Sequence, residues 1–429
     1  RSIVPMEVQE SSEGNRPRLD ALSRMVLSAS GWRGVFGKND HSMEAVITHH
    51  HQDLGAVAAI TFAKELQRRS STGNPTVVVG TDTRPTGPMI ADTAIRVFYS
   101  QNVTVRWLGV SPAPELMNYT REDPACEGFF YISASHNPPG HNGLKMGFAD
   151  GAVMPASAAH PLIDRFRSLV LNDERVNQIR TAMESVPAPY MQRLFRDVAT
   201  LKADALSAYR AFSLRVGRGP ASYTDAAFVN AIRDQLAERP LCIVAELNGS
   251  ARCTSLDSAF LAELGVRLAV YNDIAGTFAH QILPEGAGLS DAAELLEKHN
   301  RLDPAFQIAY VPDNDGDRGN LVFHHPVRGS VPLDAQTVFA LVVLIELAWQ
   351  RECNVAPERV AVVANGPTSL RIDRICDHFG ATLQRAEVGE ANVVQRAQEL
   401  REEGWTVAIL GEGSNGGNIT PPATVRDPM

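Results

Sequence analysis

The stretch Gly128-Phe129-Phe130-Tyr131-Ile132-Ser133-Ala134-Ser135-His136-Asn137-Pro138-Pro139-Gly140 decides how the chain is read. Its first five residues are an apolar run without polar alternation, the pattern of a strand buried on both faces. Small hydroxylated residues and then Pro-Pro-Gly end that strand in a loop at a sheet edge. Asn142-Gly143-Leu144-Lys145 follows directly behind. Ligands of open α/β sheets collect beyond the carboxyl ends of strands. Ser135 is therefore placed where an oxygen nucleophile meets a ligand.

The flanks support an α/β sheet. Pro75 to Gly80 is a β-branched run, followed by Thr81-Asp82-Thr83-Arg84-Pro85-Thr86-Gly87 and a helical pattern from Met89 to Tyr99. Val103 to Val110 is a second apolar run, ending in Ser111-Pro112-Ala113-Pro114 before another helix. Strands alternating with helices, with turn residues after each strand, predict parallel pairing. Upstream, residues 1–24 read as a polar tail and a first helix. Gly31-Trp32-Arg33-Gly34 reads as a glycine-flanked turn, and its arginine is a candidate anion clamp because guanidinium matches phosphate bidentately. His49-His50-His51, before a helix from Leu54 to Arg69, cannot all face one point and reads as solvated surface.

Downstream, residues 158–237 are mostly helical, broken at Gly217-Arg218-Gly219-Pro220. A second α/β unit begins at Leu241 and ends at a strand from Phe306 to Val311. The loop after it, Pro312-Asp313-Asn314-Asp315-Gly316-Asp317-Arg318, holds three carboxylates within five residues. Like charges this close repel unless a cation sits among them. Oxygen-only ligands suit Mg²⁺ or Ca²⁺ rather than Zn²⁺. A calcium hand would need Gly at its sixth position and Glu at its twelfth, where this chain has Arg318 and His324. An arginine directly after the acids points instead to a metal and a guanidinium sharing an anion, as in phosphoryl transfer. A third α/β unit runs from a helix at Asp334 to a strand at Thr406–Leu410. It closes on Gly411-Glu412-Gly413-Ser414-Asn415-Gly416-Gly417-Asn418, a polar, closely approachable loop suited to neighbouring hydroxyls. The expected domains are 1–198, 199–325 and 326–429, carrying the serine, acidic and polar loops in turn.

Composition narrows the function. The net charge is −9 with no basic stripe, which argues against nucleic acid as a partner. The five cysteines are scattered without a C-x-x-C pair, which predicts a reducing, cytoplasmic setting. The apolar stretch Val338–Trp349 is shorter than the ~20 residues that span a bilayer, so no membrane partner is expected. Nothing in the sequence bears on oligomeric state.

Gly31-Trp32-Arg33-Gly34, Ser133-Ala134-Ser135-His136-Asn137-Pro138, Asp313-Asn314-Asp315-Gly316-Asp317-Arg318 and Gly411-Glu412-Gly413-Ser414 occur in this order. Together they resemble the α-D-phosphohexomutase superfamily, from about residue 25 onward. Val388-Gly389-Glu390 resembles that family's other sugar-specificity loop. The resemblance implies three successive α/β/α sandwich domains with mixed sheets around a central cleft. It implies Ser135 as phosphoryl carrier and as a metal ligand together with Asp313, Asp315 and Asp317. Arg318 would lie beside that phosphate, Lys145 near the reacting hydroxyl, and Arg33 would help with proton or charge handling. His136 would orient the catalytic loop. Glu390, Glu412, Ser414 and Asn415 would face the sugar. The implied cofactors are Mg²⁺ and a hexose 1,6-bisphosphate that serves as activator and intermediate. The implied partner is a hexose phosphate, glucose or mannose.

Two departures stand out. The family's fourth domain carries an Arg-Pro-Ser-Gly-Thr-type phosphate loop, and nothing here matches it, so that domain is expected to be absent from the chain as given. The sugar loop lacks the histidine of dual mannose/glucose members, which leans toward glucose, while the short Ser135 loop leans toward the mannose and glucosamine branch. A phosphoglucosamine mutase and a non-catalytic sugar-phosphate-binding paralogue are the alternatives. A serine hydrolase would want Gly-x-Ser-x-Gly and a distant histidine, and neither surrounds Ser135.

Overall fold

The computed structural model describes residues 15–413 and the backbone of 418–419. The chain divides between Ala205 and Leu206 into two compact units.

The first unit carries α1 (Arg16–Arg24), β1 (Val26–Ser28), β2 (Gly31–Val35), α2 (His49–Arg69), β3 (Thr76–Thr81), α3 (Gly87–Ser100), β4 (Thr104–Val110), α4 (Ala113–Glu122), β5 (Gly128–Ile132), β6 (His141–Phe148), α5 (Ala156–Val170), α6 (Asp173–Glu184) and the start of α7 (Ala188–Arg218). Its sheet has the order β1-β2-β6-β5-β3-β4. Strands β4, β3 and β5 are parallel; β5, β6, β2 and β1 run antiparallel in succession. The parallel pairing read from strand–helix alternation thus stops at β5, giving the mixed sheet that the resemblance implies. The cause is length: residues 133–140 are too few for a crossover of about a dozen residues, so β6 can only return antiparallel.

Hydrophobic patterning places the core. Every residue of β5 is buried, as its uninterrupted apolar run predicts. Helix α2 is capped by the Thr48 side chain and ends in Arg68 and Arg69, which suit the negative end of the helix dipole. The helix starts at His49, so the three histidines belong to its first turn and are not the solvated surface expected before it. They are half-buried, and the His51 ring packs 5.2 Å from that of Phe36. Burial, with His50 alongside, pushes the His51 imidazole down to about 4. Trp32 and Phe166 meet at 4.7 Å and are fully buried, joining β2 to α5. The buried carboxylate of Asp53 accepts from Arg180 at 2.7 Å and lies 3.5 Å from Arg18, tying α1, α2 and α6 together.

The second unit completes α7 and adds α8 (Asp225–Glu238), β7 (Cys242–Glu246), α9 (Asp257–Glu263), β8 (Arg267–Tyr271), α10 (Ser290–Leu302), β9 (Phe306–Pro312), β10 (Gly319–His325), β11 (Gly329–Pro332), α11 (Ala335–Glu352), β12 (Val360–Asn365), α12 (Arg371–Phe379), β13 (Thr382–Ala386), α13 (Glu390–Glu402), β14 (Thr406–Gly411) and β15 (Asn418–Ile419). One sheet has the order β11-β10-β9-β7-β8, the other β13-β12-β14-β15.

All three sheets contain the same four-strand arrangement. In β3-β4-β5-β6, β7-β8-β9-β10 and β12-β13-β14-β15, the first strand pairs parallel with the second and third, and the third pairs antiparallel with the fourth. Between the third and fourth strands lie the serine loop in the first sheet and the acidic loop in the second, and in the third sheet Glu412 and Gly413 follow the third strand.

Phe166→Ala should lower the stability of the first unit by about 3–5 kcal/mol, since a fully buried ring leaves a cavity against Trp32. Leu171→Ala, at a side chain that is 61% exposed, should cost less than about 0.5 kcal/mol. Urea unfolding of both variants measures the contrast, and equal midpoints would contradict this packing.

Candidate active site

Ser135 follows β5 by three residues and is fully buried, with φ +54°. A non-glycine residue in this left-handed region costs on the order of 1–3 kcal/mol and persists only when its surroundings hold it. Here they do. The Ser135 N–H donates to Ser133 Oγ at 2.8 Å, and the Asn137 N–H closes a turn on the Ala134 carbonyl at 3.1 Å. The carbonyls of Ser135 and Asn137 both accept from Arg84 Nη2, the former at 2.8 Å. Arg84 is fixed in turn by a fully buried ion pair with Asp82, whose other carboxylate oxygen accepts the Arg84 N–H at 2.9 Å. Ser135 Oγ lies 3.4 Å from His136 Nδ1, a long contact suited to orienting the loop rather than to a tight nucleophile–base pair.

Lys145 is buried on β6, opposite Tyr131 of β5, on the strand that the serine loop enters. Arg33 lies on β2 opposite Gly143. The expected glycine-flanked turn at 31–34 is therefore a strand. Close packing explains the glycines: a Cβ at Gly143 would come within 2.6 Å of the Ser133 carbonyl and 2.9 Å of Arg33 Cγ. The sheet thus brings Arg33, the serine loop and Lys145 into neighbouring strands.

In the second unit, Asp313, Asp315 and Asp317 are buried, and one oxygen from each lies within 4.8 Å of the others. The loop is closed by the Asp313 N–H on the Arg318 carbonyl at 3.1 Å and by the Arg318 N–H on Asp313 Oδ1 at 3.1 Å. Burial, then repulsion from Asp315 and Asp317, holds the Asp313 carboxyl well above the usual carboxylate range. Three converging buried carboxylates under this strain fit a hard divalent cation, and an all-oxygen donor set fits Mg²⁺. Gly316, at φ +67°, sits against Arg252, whose Nε donates to the Gly316 carbonyl at 3.1 Å. Arg252 also donates to the Tyr209 hydroxyl at 2.9 Å and faces Asp257 at 3.3 Å.

In the third sheet, Glu412 is buried at the end of β14. Its Oε1 accepts from Asn365 Nδ2 at 2.9 Å and from the Gly389 N–H at 2.8 Å. Glu390, expected within a sugar-specificity loop, is the first residue of α13, directly after the Gly389 cap at φ +124°. The Gly389 and Glu412 segments are thereby joined. Ser414 and Asn415 lie outside the described residues.

Sequence reasoning passed over Arg84, Asp82, Arg252 and Asn365. Each sits in or beside the loop after the first strand of its sheet, and the polar residues closing those strands were the available signal.

A braced, buried serine loop and a buried three-aspartate loop on repeated α/β sheets suit phosphoryl-transfer chemistry. Comparison with known proteins agrees. Residues 24–172 match the family model described as phosphoglucomutase/phosphomannomutase, alpha/beta/alpha domain I, and residues 340–429 match domain III. A phosphoglucosamine mutase of Methylibium petroleiphilum is 26% identical over 92% of this chain and 74% of its own length. A phosphoglucomutase/phosphomannomutase of Thermococcus kodakarensis is 28% identical over 90% of this chain and 72% of its own. A phosphoglucomutase/phosphomannomutase family protein from Burkholderia thailandensis superposes with TM-score 0.58 at 19% identity, covering 91% of this chain and 72% of that one. The chain belongs to the α-D-phosphohexomutase superfamily. The named relatives are mutases, that is, intramolecular phosphotransferases. No helix among the described residues is long and apolar enough to cross a membrane.

The raised Asp313 carboxyl gives a pH prediction. Above the ordinary value of 3.8, the metal-free folded state holds more protons than the unfolded state, so its stability falls as pH rises toward the raised folded value. Mg²⁺ must displace that proton, so its stabilising effect grows with pH. The Mg²⁺-induced rise in melting temperature should grow as pH is raised from the ordinary value of 3.8, and Asp313→Asn should flatten that trend. Thermal melts with Mg²⁺ or with chelator measure it.

Proposed function

We propose that the protein interconverts hexose 1-phosphates and hexose 6-phosphates, glucose and mannose among them, through a phosphoserine at Ser135. The observation that carries this is the strained, braced Ser135 loop occurring in one chain with the buried Asp313–Asp315–Asp317 cluster. In this reading the segments 1–198, 199–325 and 326–429 are domains that each contribute one loop.

The phosphoserine O–P bond breaks as a sugar hydroxyl forms its own bond to phosphorus. The sugar hydroxyl loses its proton, and Ser135 regains one. The resulting bisphosphosugar returns its other phosphate to Ser135, and the net change is 1-phosphate to 6-phosphate. A hexose 1,6-bisphosphate accordingly acts as activator. Asp313, Asp315 and Asp317 would hold Mg²⁺, with Ser135 completing the protein ligands, and the metal supplies charge stabilisation to the phosphoryl oxygens. Arg318 holds the phosphate beside them. Lys145 lies near the reacting hydroxyl, Arg33 assists with charge, and His136 orients the loop. Glu412, Glu390, Ser414 and Asn415 hold the sugar.

A second reading, a glucosamine phosphate as substrate, draws on two observations. The Methylibium relative is named a phosphoglucosamine mutase. The Gly389 N–H donates to Glu412, and Glu390 follows it as the first residue of α13, so two carboxylate residues adjoin one helix cap. Negative charge there favours an ammonium over a hydroxyl.

Ser135→Ala should abolish both the phosphoprotein mass and mutase turnover. Retention of full turnover would disprove the covalent route. Wild-type assays with glucose, mannose and glucosamine 1-phosphates, each with a hexose 1,6-bisphosphate, name the sugar. Inertness toward all three would favour the non-catalytic paralogue. If glucosamine is preferred, Glu390→Gln should raise its KM about tenfold, the worth of one charge-assisted hydrogen bond, and leave glucose little changed.

A further inference from the structure

The two chemistry-bearing loops are held by the same device. In the first sheet, the guanidinium of Arg84 follows β3 and binds the carbonyls of Ser135 and Asn137 in the loop after β5. In the second, the guanidinium of Arg252 follows β7 and binds the Gly316 carbonyl in the loop after β9. Arg252 lies so close that a Cβ at Gly316 would come within 2.9 Å of its Nε. Each guanidinium is fully buried, and each faces a buried acid, Asp82 or Asp257. The backbone repeats the link, since the Ala251 N–H donates to the Asn314 carbonyl at 2.9 Å.

We propose that Arg84 and Arg252 are equivalent positioning residues: Arg84 fixes the left-handed backbone that aims the Ser135 hydroxyl, and Arg252 fixes the turn that gathers the three aspartates. This rests on the phosphotransfer reading of Ser135 and of the aspartate loop. Neither arginine needs to touch substrate. The planar fork of Arg84 reaches two carbonyls and a carboxylate at once, and that of Arg252 a carbonyl, the Tyr209 hydroxyl and a carboxylate, which a lysine ammonium cannot copy. The third sheet uses neutral groups at the same place. There Thr368 Oγ1 accepts the Gly413 N–H at 3.0 Å, and Asn365 holds Glu412.

The test separates rate from amount. Wild type, Arg84→Lys and Asp82→Asn are incubated with glucose 1,6-bisphosphate, and phosphate on Ser135 is followed by intact mass. Arg84→Lys should be slower by on the order of 10²-fold, the effect of misplacing a reacting atom by about 1 Å. Its final phosphorylated fraction and its KM for hexose phosphate should change little. Asp82→Asn should be slowed in the same way and serves if Arg84→Lys does not fold. A merely structural role would lower the competent fraction and leave its rate alone. In parallel, Arg252→Lys should weaken Mg²⁺ binding about 10- to 100-fold by calorimetry, as loss of support behind metal ligands does. Wild-type phosphorylation rates in the folded Arg84 and Asp82 variants overturn the role of Arg84, and unchanged Mg²⁺ affinity overturns that of Arg252. Absence of phosphate on wild-type Ser135 overturns the phosphoserine reading instead, and the Mg²⁺ titration still decides the role of Arg252.

Discussion

The structure depends on one constraint of chain length. A parallel neighbour requires a crossover, and a short loop permits only an antiparallel return. In each sheet the third strand pairs parallel with the first and is then followed by a loop too short to cross. The loop must therefore turn back at the carboxyl edge, beside the loop that follows the first strand. This happens at 133–140 and 313–318, and the third sheet places Glu412 and Gly413 at the same position. The chain thus has three equivalent sites for polar residues, and it assigns a hydroxyl, a carboxylate cluster and a hydrogen-bonded glutamate to them.

Proximity of the two loops in each sheet explains why bracing groups come from the first strand. Backbone in a tight loop leaves carbonyls that the sheet does not satisfy, and burial makes each of them costly. Arg84 and Arg252 meet that need, whereas in the third sheet Thr368 Oγ1 accepts the Gly413 N–H and Asn365 Nδ2 donates to the Glu412 side chain. The strain at Ser135, with its positive φ, is sustained by this network rather than by the residue's own preference.

Much of this was legible in the residues. Apolar runs ending in turn chemistry located β3, β4, β5, β7, β9 and β14, and the spacing of Asp313, Asp315 and Asp317 announced their convergence. The break at Gly217–Pro220 matched the end of α7 at Arg218. Strands β6, β10 and β11 were not legible, because glycines and polar residues interrupt them and their burial is set by neighbours distant in sequence. Arg33 was misplaced on a turn for the same reason, since Gly31 and Gly34 announce flexibility unless the opposing Gly143 is known. The bracing arginines were invisible as such. An arginine after a strand reads as surface until the topology shows that another loop closes over it.

The charge state of the braces follows from what they serve. A guanidinium beside three carboxylates, or beside a serine that carries phosphate as proposed, would ordinarily be drawn to those anions. Arg84 is instead committed to Asp82, and Arg252 faces Asp257, both in full burial, where a charge without a partner is strongly disfavoured. Each pair is close to neutral, so it shapes the loop without adding to the local field. Asp313, Asp315 and Asp317 then remain together in one buried loop that fits a divalent cation, and Arg318 follows them directly. Separating the groups that shape the loop from the groups that carry its charge allows both to be buried at one sheet edge.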